Sequence, residues 1–422
     1  MLEVKVIESA LRTVIVGGGF TGLFTALYLS HLSYVGQVIL IDPSERFVFK
    51  PLLFEFLNGQ MNADQVWPSY EELLRGSHVT FVQDRVEHID LAERKVELAS
   101  GLHYTYTHMV LALGSTSGYF GTPGAAENSF TFRSGQDVLA LRQHLRECLQ
   151  RASQTEDTQL RRKLLTVAII GAGPTGVELS ATLADWLPDW YTQFGGDPQE
   201  IRVVLMNRGP NILSGDVNAH LHDTALAALK RRVVPVDLLT GAPVTALRPG
   251  QVEYTYNNQP AVLETETIVW TAGTATHPLL KDLPIPPENR DKHGRPYIVP
   301  TLHLMGYPEV FAGGDCVTQF KPEPALAQVA YQQAKAIAHN LVNISAGEVP
   351  RVGHVLLRGT LMKLGTMEGA ANIFDKYMVT GKMGHVIRHM TYLEMLPAPV
   401  HNLKVTGEWL SDELFHRAKS LV

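Results

Sequence analysis

Two stretches of the chain repeat one pattern: a short unbroken apolar run, a knot of glycines, then apolar residues at helical spacing. The first runs from Leu11 to Val16, through Gly17-Gly18-Gly19-Phe20-Thr21-Gly22, into a helix expected over Leu23–Leu32. The second runs from Leu164 to Ile170, through Gly171-Ala172-Gly173-Pro174-Thr175-Gly176, into a helix expected over Val177–Trp186. Apolar runs this short, bounded by turn residues, read as strands buried on both faces, the kind found in parallel sheets. A further strand follows each helix. Gln37–Ile41 ends at Asp42, and Ile201–Met206 ends at Asn207-Arg208 after a loop expected over Leu187–Glu200.

Between the two units, shorter alternating segments (Val79–Gln83, Val86–Ile89, Lys95–Leu98) read as a meander. The apolar stretch from His108 stops at Gly114, and the charged stretch Gln136–Lys163 reads as a helical crossover. Thr267–Trp270 closes the second unit at Thr271-Ala272-Gly273. The run Val310-Phe311-Ala312 into Gly313-Gly314-Asp315 then reads as a strand returning to the first sheet, ahead of a helix starting near Ala325. The resulting expectation is an α/β chain with two Rossmann-like dinucleotide-binding domains. One is discontinuous (1–135 and 288–348), the other is inserted (160–287), and a C-terminal region (349–422) is left over.

Composition narrows the choice. At 422 residues the chain has room for two or three domains. A net charge of −6, with no long basic stretch, argues against a nucleic-acid partner. Cys148 and Cys316 are the only cysteines and there is no C-x-x-C, which sets aside disulfide-relay chemistry and cysteine-held iron–sulfur clusters; no metal is expected. The first strand begins about ten residues from Met1, leaving no room for a signal or transit peptide, and no run reaches the roughly 20 apolar residues that span a bilayer.

The glycine knots supply the chemistry. In a G-x-G-x-x-G turn the backbone N–H groups and the helix dipole face a pyrophosphate. Two of them, 154 residues apart, imply FAD on Gly17, Gly19, Phe20, Thr21 and Gly22, and a nicotinamide dinucleotide on Gly171, Gly173, Thr175 and Gly176. Asp42, 20 residues after Gly22, has the spacing of an acid that reaches a ribose hydroxyl; its local alternative is a turn cap with Pro43. Asp315 fits a ribityl contact or, equally by local pattern, a simple helix cap. Asn207-Arg208 stands where an acid would grip the 2′-hydroxyl of NADH, so NADPH is expected to be accepted, alongside or instead of NADH.

Taken in order, Gly17–Gly22 with Asp42, the segment Phe47 to Leu53, the closing Gly114, Trp270 to Gly273 and Gly314-Asp315-Cys316 resemble the two-dinucleotide-binding-domain flavoproteins. Ala327-Gln328-Val329-Ala330-Tyr331-Gln332-Gln333 resembles the quinone-site motif of the type II, non-proton-pumping NAD(P)H:quinone oxidoreductases. The resemblance covers nearly the whole chain and leans toward the cyanobacterial and plastid branch that acts on prenylated naphthoquinones. It implies that Ala327, Gln328 and Gln332 meet the quinone and that Lys50-Pro51 runs beside the isoalloxazine. It also implies that Glu178 points toward nicotinamide and flavin, and that Gly114, Gly273 and Gly314 border the cofactors. Arg358 departs from the family, where a lysine often precedes the glycine matched by Gly359.

Gln328 and Gln332 are spaced i, i+4, so their amides share a helix face, and an amide both donates to a quinone carbonyl and accepts from a quinol hydroxyl. Lys50 is a candidate for stabilising charge on reduced flavin, with a surface lysine as the plain alternative. The C-terminal region mixes Ile387, Met390, Tyr392, Leu393, Met395, Leu396, Trp409, Leu410, Leu414, Phe415 and Leu421 with His385, Arg388, His389, Lys404, Arg417 and Lys419. Alone, that mixture fits a homodimer surface or a capping subdomain; with the resemblance, whose prenylquinone substrate dissolves in the bilayer, it implies membrane docking without spanning. The expectation is therefore a peripheral enzyme on the cytoplasmic face of a plasma or thylakoid membrane. It would pass electrons from NAD(P)H through FAD to a membrane quinone such as plastoquinone or a phylloquinone precursor. Its competitors are a soluble reductase of a carrier protein, a sulfide:quinone oxidoreductase, and a non-catalytic redox sensor.

Overall fold

The computed structural model describes residues 11–214, 219–397 and 401–408. Six strands form the largest sheet, in the order His303–Leu304, Tyr307–Ala312, His108–Leu111, Arg12–Val16, Gln37–Asp42, Val79–Gln83. All its pairings are parallel except the hairpin of the first two strands. Val14 lies opposite Ile39 on one side and Met109 on the other, so the first apolar run sits mid-sheet and is buried on both faces, as its composition requires. The strand Tyr307–Ala312 comes from nearly 200 residues downstream (307 minus 111 is 196), pairing Val310 with Met109.

The second apolar run builds a four-stranded parallel sheet in the order Asp237–Leu239, Arg202–Met206, Thr166–Ile170, Thr267–Trp270. Two three-stranded antiparallel sheets cover the flanks: Val86–Asp90 with Lys95–Leu98 and His103–Thr105, and Val244–Arg248 with Gln251–Tyr256 and Gln259–Glu264. A third, Gly359–Gly365, Glu368–Ile373 and Tyr377–Thr380, carries the helix Gly381–Glu394. Helix Phe20–His31 packs along helix Ala327–Ser345, with Phe24 edge-on to Tyr331 and the Tyr28 hydroxyl donating to that of Tyr331.

One local reading is corrected. The loop expected from Leu187 begins as helix, because Pro174–Thr192 continues through Pro188. Proline cannot donate to the carbonyl of Ala184, and the N–H of Val234 fills that place instead. The charged crossover is helical, as expected, and is built of two helices. Gly135–Gln154 starts in a capping box between Ser134 and Asp137, and Thr158–Leu165 is capped by Asp157.

Candidate active site

Gly17–Gly22 turns the chain from the central strand into helix Phe20–His31. A Cβ on Gly22 would lie 1.8 Å from the carbonyl oxygen of Gly17, so only glycine lets the helix start this close to the strand. A Cβ on Gly18 would strike Tyr70, whose hydroxyl donates to the Gly18 carbonyl at 2.8 Å. Gly19 caps the helix with no side-chain partner and open space in front of it, leaving the first-turn amides available to an anion. Asp42 closes the next strand. Its Oδ2 accepts from the Gly18 N–H at 2.6 Å and its Oδ1 from the Ser44 N–H at 2.8 Å, so it stands beside the glycine turn and caps its own turn as well. Burial raises its pKa, and the Gly18 and Ser44 bonds oppose that rise.

The returning strand brings Gly314-Asp315 to the same place. Thr21 lies against Gly313 and Gly314, and the Gly314 N–H donates to Gln333 Oε1 at 2.7 Å. Ser115, just after Gly114, donates to Asp315 Oδ2 at 3.3 Å, and Arg133 donates to the Ser115 carbonyl at 2.5 Å. Lys50 opens the short 3₁₀ turn Lys50–Leu52; it is exposed, within electrostatic reach of Arg133 and Asp315.

The second glycine turn repeats the first. A Cβ on Gly176 would lie 1.9 Å from the Gly171 carbonyl oxygen, and Gly173 caps helix Pro174–Thr192 with open space before it and Thr175 half-buried behind. Asn207 ends the neighbouring strand, but its amide donates to the carbonyls of Asn211 and Gly209 and so caps its own loop; Arg208 beside it is exposed.

The two units are stitched at the ends that carry the glycine turns. Ser115–Ser117, just past Gly114, pairs antiparallel with Thr274–Thr276, just past Gly273. At Gly273 a Cβ would meet the ring of Phe120 at 2.3 Å.

Behind this seam lies a cluster of charge that the sequence reading did not anticipate. Glu55, Lys363 and Arg388 are fully buried. Glu55 Oε1 accepts from Lys363 Nζ at 2.9 Å and from Arg388 Nη1 at 2.6 Å. Lys363 also donates to Gln60 Oε1, and Arg388 Nη2 donates to the Pro51 carbonyl at 2.5 Å. Glu178 reaches the same cluster: its Oε1 accepts from the Lys363 backbone N–H at 2.8 Å and lies 3.8 Å from Arg388 Nε. Burial pushes the Glu178 carboxyl up to about 7 against the opposing pull of Arg388. A signal was present in the sequence. Glu55 interrupts Leu52-Leu53-Phe54-Glu55-Phe56-Leu57, and Lys363 interrupts Leu361-Met362-Lys363-Leu364. A charge inside an apolar run is buried with a partner or not buried at all.

The two glutamines do share a face of helix Ala327–Ser345, and Ala327 is the helix's first residue. Their amides are engaged, however, by the backbone that leads into Gly359–Gly365. Gln328 donates to the Gly359 carbonyl and accepts from the Arg358 N–H, while Gln332 donates to the Leu356 carbonyl and accepts from the Leu356 N–H. The side chains thus stand in for a neighbouring strand along Leu356–Gly359. Arg358, the departure from the family pattern, pairs with Glu394 at 3.7 Å.

Of the basic residues expected on a docking face, His385, Arg388 and His389 are inside, while Lys404 is exposed and lies 3.8 Å from Glu72. Helix Gly381–Glu394 buries His385, Arg388 and His389 and turns Met383, Val386 and Met390 outward, with Arg388 paired to Glu55 inside. Trp409, Leu410, Leu414, Phe415, Arg417, Lys419 and Leu421 lie outside the described residues.

These features fit the cofactors. Bare helix starts behind glycines, with Asp42 and Asp315 on the first unit, suit the pyrophosphate and hydroxyls of FAD, and the second turn suits a nicotinamide dinucleotide. Among the described residues no group of His, Cys, Asp or Glu is arranged to hold a metal ion. Cys148 and Cys316 are buried free thiols, each pushed up to about 11 by burial, far from the thiolate that sulfide chemistry needs.

Comparison with known proteins agrees. The family model for pyridine nucleotide-disulphide oxidoreductases matches residues 11–334. The chain is 31% identical to the alternative NAD(P)H-ubiquinone oxidoreductase C1 of Arabidopsis thaliana, over 95% of this chain and 80% of that one. It is 30% identical to the demethylphylloquinone reductase NdbB of Synechocystis sp., over 96% of each. A type II NADH:quinone oxidoreductase of Mycobacterium tuberculosis is 32% identical over 80% of this chain and 74% of its own. The fold superposes on NDH2 from Plasmodium falciparum, solved in complex with NADH, with a TM-score of 0.86 at 16% identity over 96% of this chain and 98% of that one. The chain therefore belongs to the pyridine nucleotide-disulphide oxidoreductase family and, within it, to the type II NAD(P)H:quinone oxidoreductases.

Proposed function

We propose that this protein is an FAD-dependent NAD(P)H:quinone oxidoreductase that works at a membrane surface and pumps no protons. The observation that carries this reading is the seam itself. Two dinucleotide-type glycine turns sit at the joined ends of two parallel sheets, with Glu178 of one unit and Pro51 of the other tied to the same arginine. Bound FAD supplies a two-electron acceptor that takes hydride from nicotinamide and passes the electrons to quinone. NAD(P)H brings two electrons and one proton, so the quinol's second proton comes from solvent.

On this reading Gly17, Gly19, Phe20, Thr21, Gly22, Asp42, Gly314 and Asp315 hold FAD on the discontinuous domain (1–135 and 288–348). Gly171, Gly173, Thr175 and Gly176 hold the nicotinamide dinucleotide on the inserted one (160–287). Gly114 and Gly273 let the backbone turn beside the cofactors, and Lys50 places a cation near the flavin. Ala327, Gln328 and Gln332, with the Leu356–Gly359 segment they hold, form the quinone side. The test is anaerobic. The purified flavoprotein is expected to be bleached by NADPH or NADH and re-oxidised by a naphthoquinone. A flavin that no pyridine nucleotide reduces would overturn the reading, and reoxidation by a ferredoxin but by no quinone would favour the soluble-reductase alternative.

The nucleotide preference rests on Asn207 and Arg208. With no carboxylate at this strand end, a 2′-phosphate is not repelled and Arg208 is free to pair with it. Asn207→Glu is expected to lower the ratio of kcat/KM for NADPH over NADH by about tenfold or more, through a lost cation–phosphate balance of roughly 1.5–3 kcal/mol. An unchanged ratio would place this strand end away from the adenosine ribose.

Membrane docking is supported by the outward apolar face of the C-terminal region (349–422). Met383 is 63% exposed, Met390 52% and Leu356 65%, beside the exposed Lys382 and Arg358. Among the described residues no helix is long and apolar enough to cross a bilayer, so the contact proposed is superficial, on the cytoplasmic face where NAD(P)H is found. Met383→Asp with Met390→Asp is expected to abolish co-sedimentation with liposomes while sparing NAD(P)H oxidation by a soluble acceptor. Unchanged sedimentation with a shift from dimer to monomer would assign the same face to a homodimer.

A further inference from the structure

Two cations from the C-terminal region lie where neither nucleotide-binding unit supplies them. Lys363, on strand Gly359–Gly365, and Arg388, on helix Gly381–Glu394, enter the space between helix Leu53–Leu57 and helix Pro174–Thr192. Both converge on one oxygen of Glu55, whose other oxygen, Oε2, has no partner; Arg388 Nε is likewise unpartnered by a hydrogen bond. A single carboxylate therefore faces two buried cations. The remaining acid within reach is Glu178, whose side chain is 12% exposed and opens from the start of the second glycine-turn helix. From the same cluster Arg388 grips the Pro51 carbonyl, next to Lys50.

We propose that Lys363 and Arg388 are positioning residues of the NAD(P)H-oxidising site. They fix the Lys50–Pro51 turn of the flavin unit and Glu178 of the nicotinamide unit in one frame, and they give that frame its net positive charge. The C-terminal region then has a second task besides meeting the membrane. This rests on the oxidoreductase reading given above.

The charge count makes the claim testable. The groups facing Glu178 are Arg388 and Tyr392 of helix Gly381–Glu394, Lys363 of strand Gly359–Gly365 and Glu55 of helix Leu53–Leu57. His385 and His389 are held neutral at pH 7 by burial, at about 3 and about 4, and Tyr392 is held protonated by burial. Burial lowers the Lys363 pKa and Glu55, 2.9 Å away, opposes that; with Lys363 charged and Glu178 protonated, Lys363, Arg388 and Glu55 sum to one positive charge. Arg388 most strongly, and the Lys363 charge to a smaller extent, pull the Glu178 carboxyl down against its burial, so losing the Lys363 charge lets that carboxyl rise. A cation removed near the flavin also disfavours negative charge on the reduced ring.

The experiment uses the FAD-loaded full chain and reads the flavin midpoint potential and the pH profile of flavin reduction by NADPH in a single turnover. Lys363→Met is expected to displace the profile's inflection upward and to make the potential more negative. Lys363→Gln, which keeps a donor to Glu55 without the charge, guards against misfolding and should do the same. Lys363→Arg should restore the wild-type profile. Lys363→Met with Glu55→Gln removes one charge of each sign and should return the inflection toward wild type, where a purely structural role predicts further damage. Lys363 variants that keep their flavin and show a wild-type profile and potential would overturn the proposal. A wild-type flavin reduced by neither nucleotide would instead sink the oxidoreductase reading.

Discussion

Replacing Glu55 by alanine is expected to destabilise the folded protein by about 3–5 kcal/mol, the range seen when one partner of a buried ion pair is removed. The reason is not the value of the lost bonds, each modest against water. It is that Lys363 and Arg388 stay behind, fully buried, with no carboxylate between them. Burial pushes the Glu55 carboxyl up, but Arg388, Lys363 and His389 together override it and hold the group well below the usual carboxylate range. A carboxyl depressed in the folded state contributes stability that is present above its unfolded value, about 4.3, and is lost as pH falls through the folded value. Urea unfolding at pH 7 measures the first part, and the difference between wild type and Glu55→Ala at pH 3 measures the second. That difference should be full at pH 7 and narrow below about pH 4, whatever other groups such as Glu178 add to both proteins. Equal stability of variant and wild type at pH 7 would mean that water reaches the cluster and solvates the cations.

Gln328→Leu with Gln332→Leu is expected to leave flavin reduction by NAD(P)H intact and to slow reoxidation by quinone. Leucine fills the space but neither donates nor accepts, so two amide contacts of about 0.5–1.5 kcal/mol each are lost, roughly a 5- to 150-fold fall in quinone kcat/KM. The structure adds a second readout. The same amides hold the Leu356–Gly359 backbone through four hydrogen bonds, so the Leu356 and Arg358 amide protons should exchange faster in the variant. Stopped-flow traces separate the half-reactions. A slowed reductive half with a normal oxidative half would put the glutamines on the nicotinamide side.

Much of this molecule was legible in the chain because its signals are local. A glycine turn between an apolar run and a helix is decided by backbone sterics within six residues, and both turns fold as their residues dictate. The parallel sheets follow from apolar runs that have no polar face to show water. Other features depend on partners that sequence distance hides. Pro188 reads as a helix stop, yet the helix continues because Val234, 46 residues on (234 minus 188), takes over the orphaned carbonyl. Gln328 and Gln332 show only a shared helix face in the sequence, and a segment some 25 to 30 residues later engages both amides. His385, Arg388 and His389 look like the basic half of a surface helix. Only the fold shows that Glu55, 333 residues upstream of Arg388, pairs with it inside, while Met383, Val386 and Met390 face out. The sequence by itself determined which backbone turns form and which strands are buried, because those depend on each residue's own sterics and hydration. The tertiary structure alone decided which charges share a buried site, because a buried charge is set by its partner, and the partner's place is a property of the whole fold.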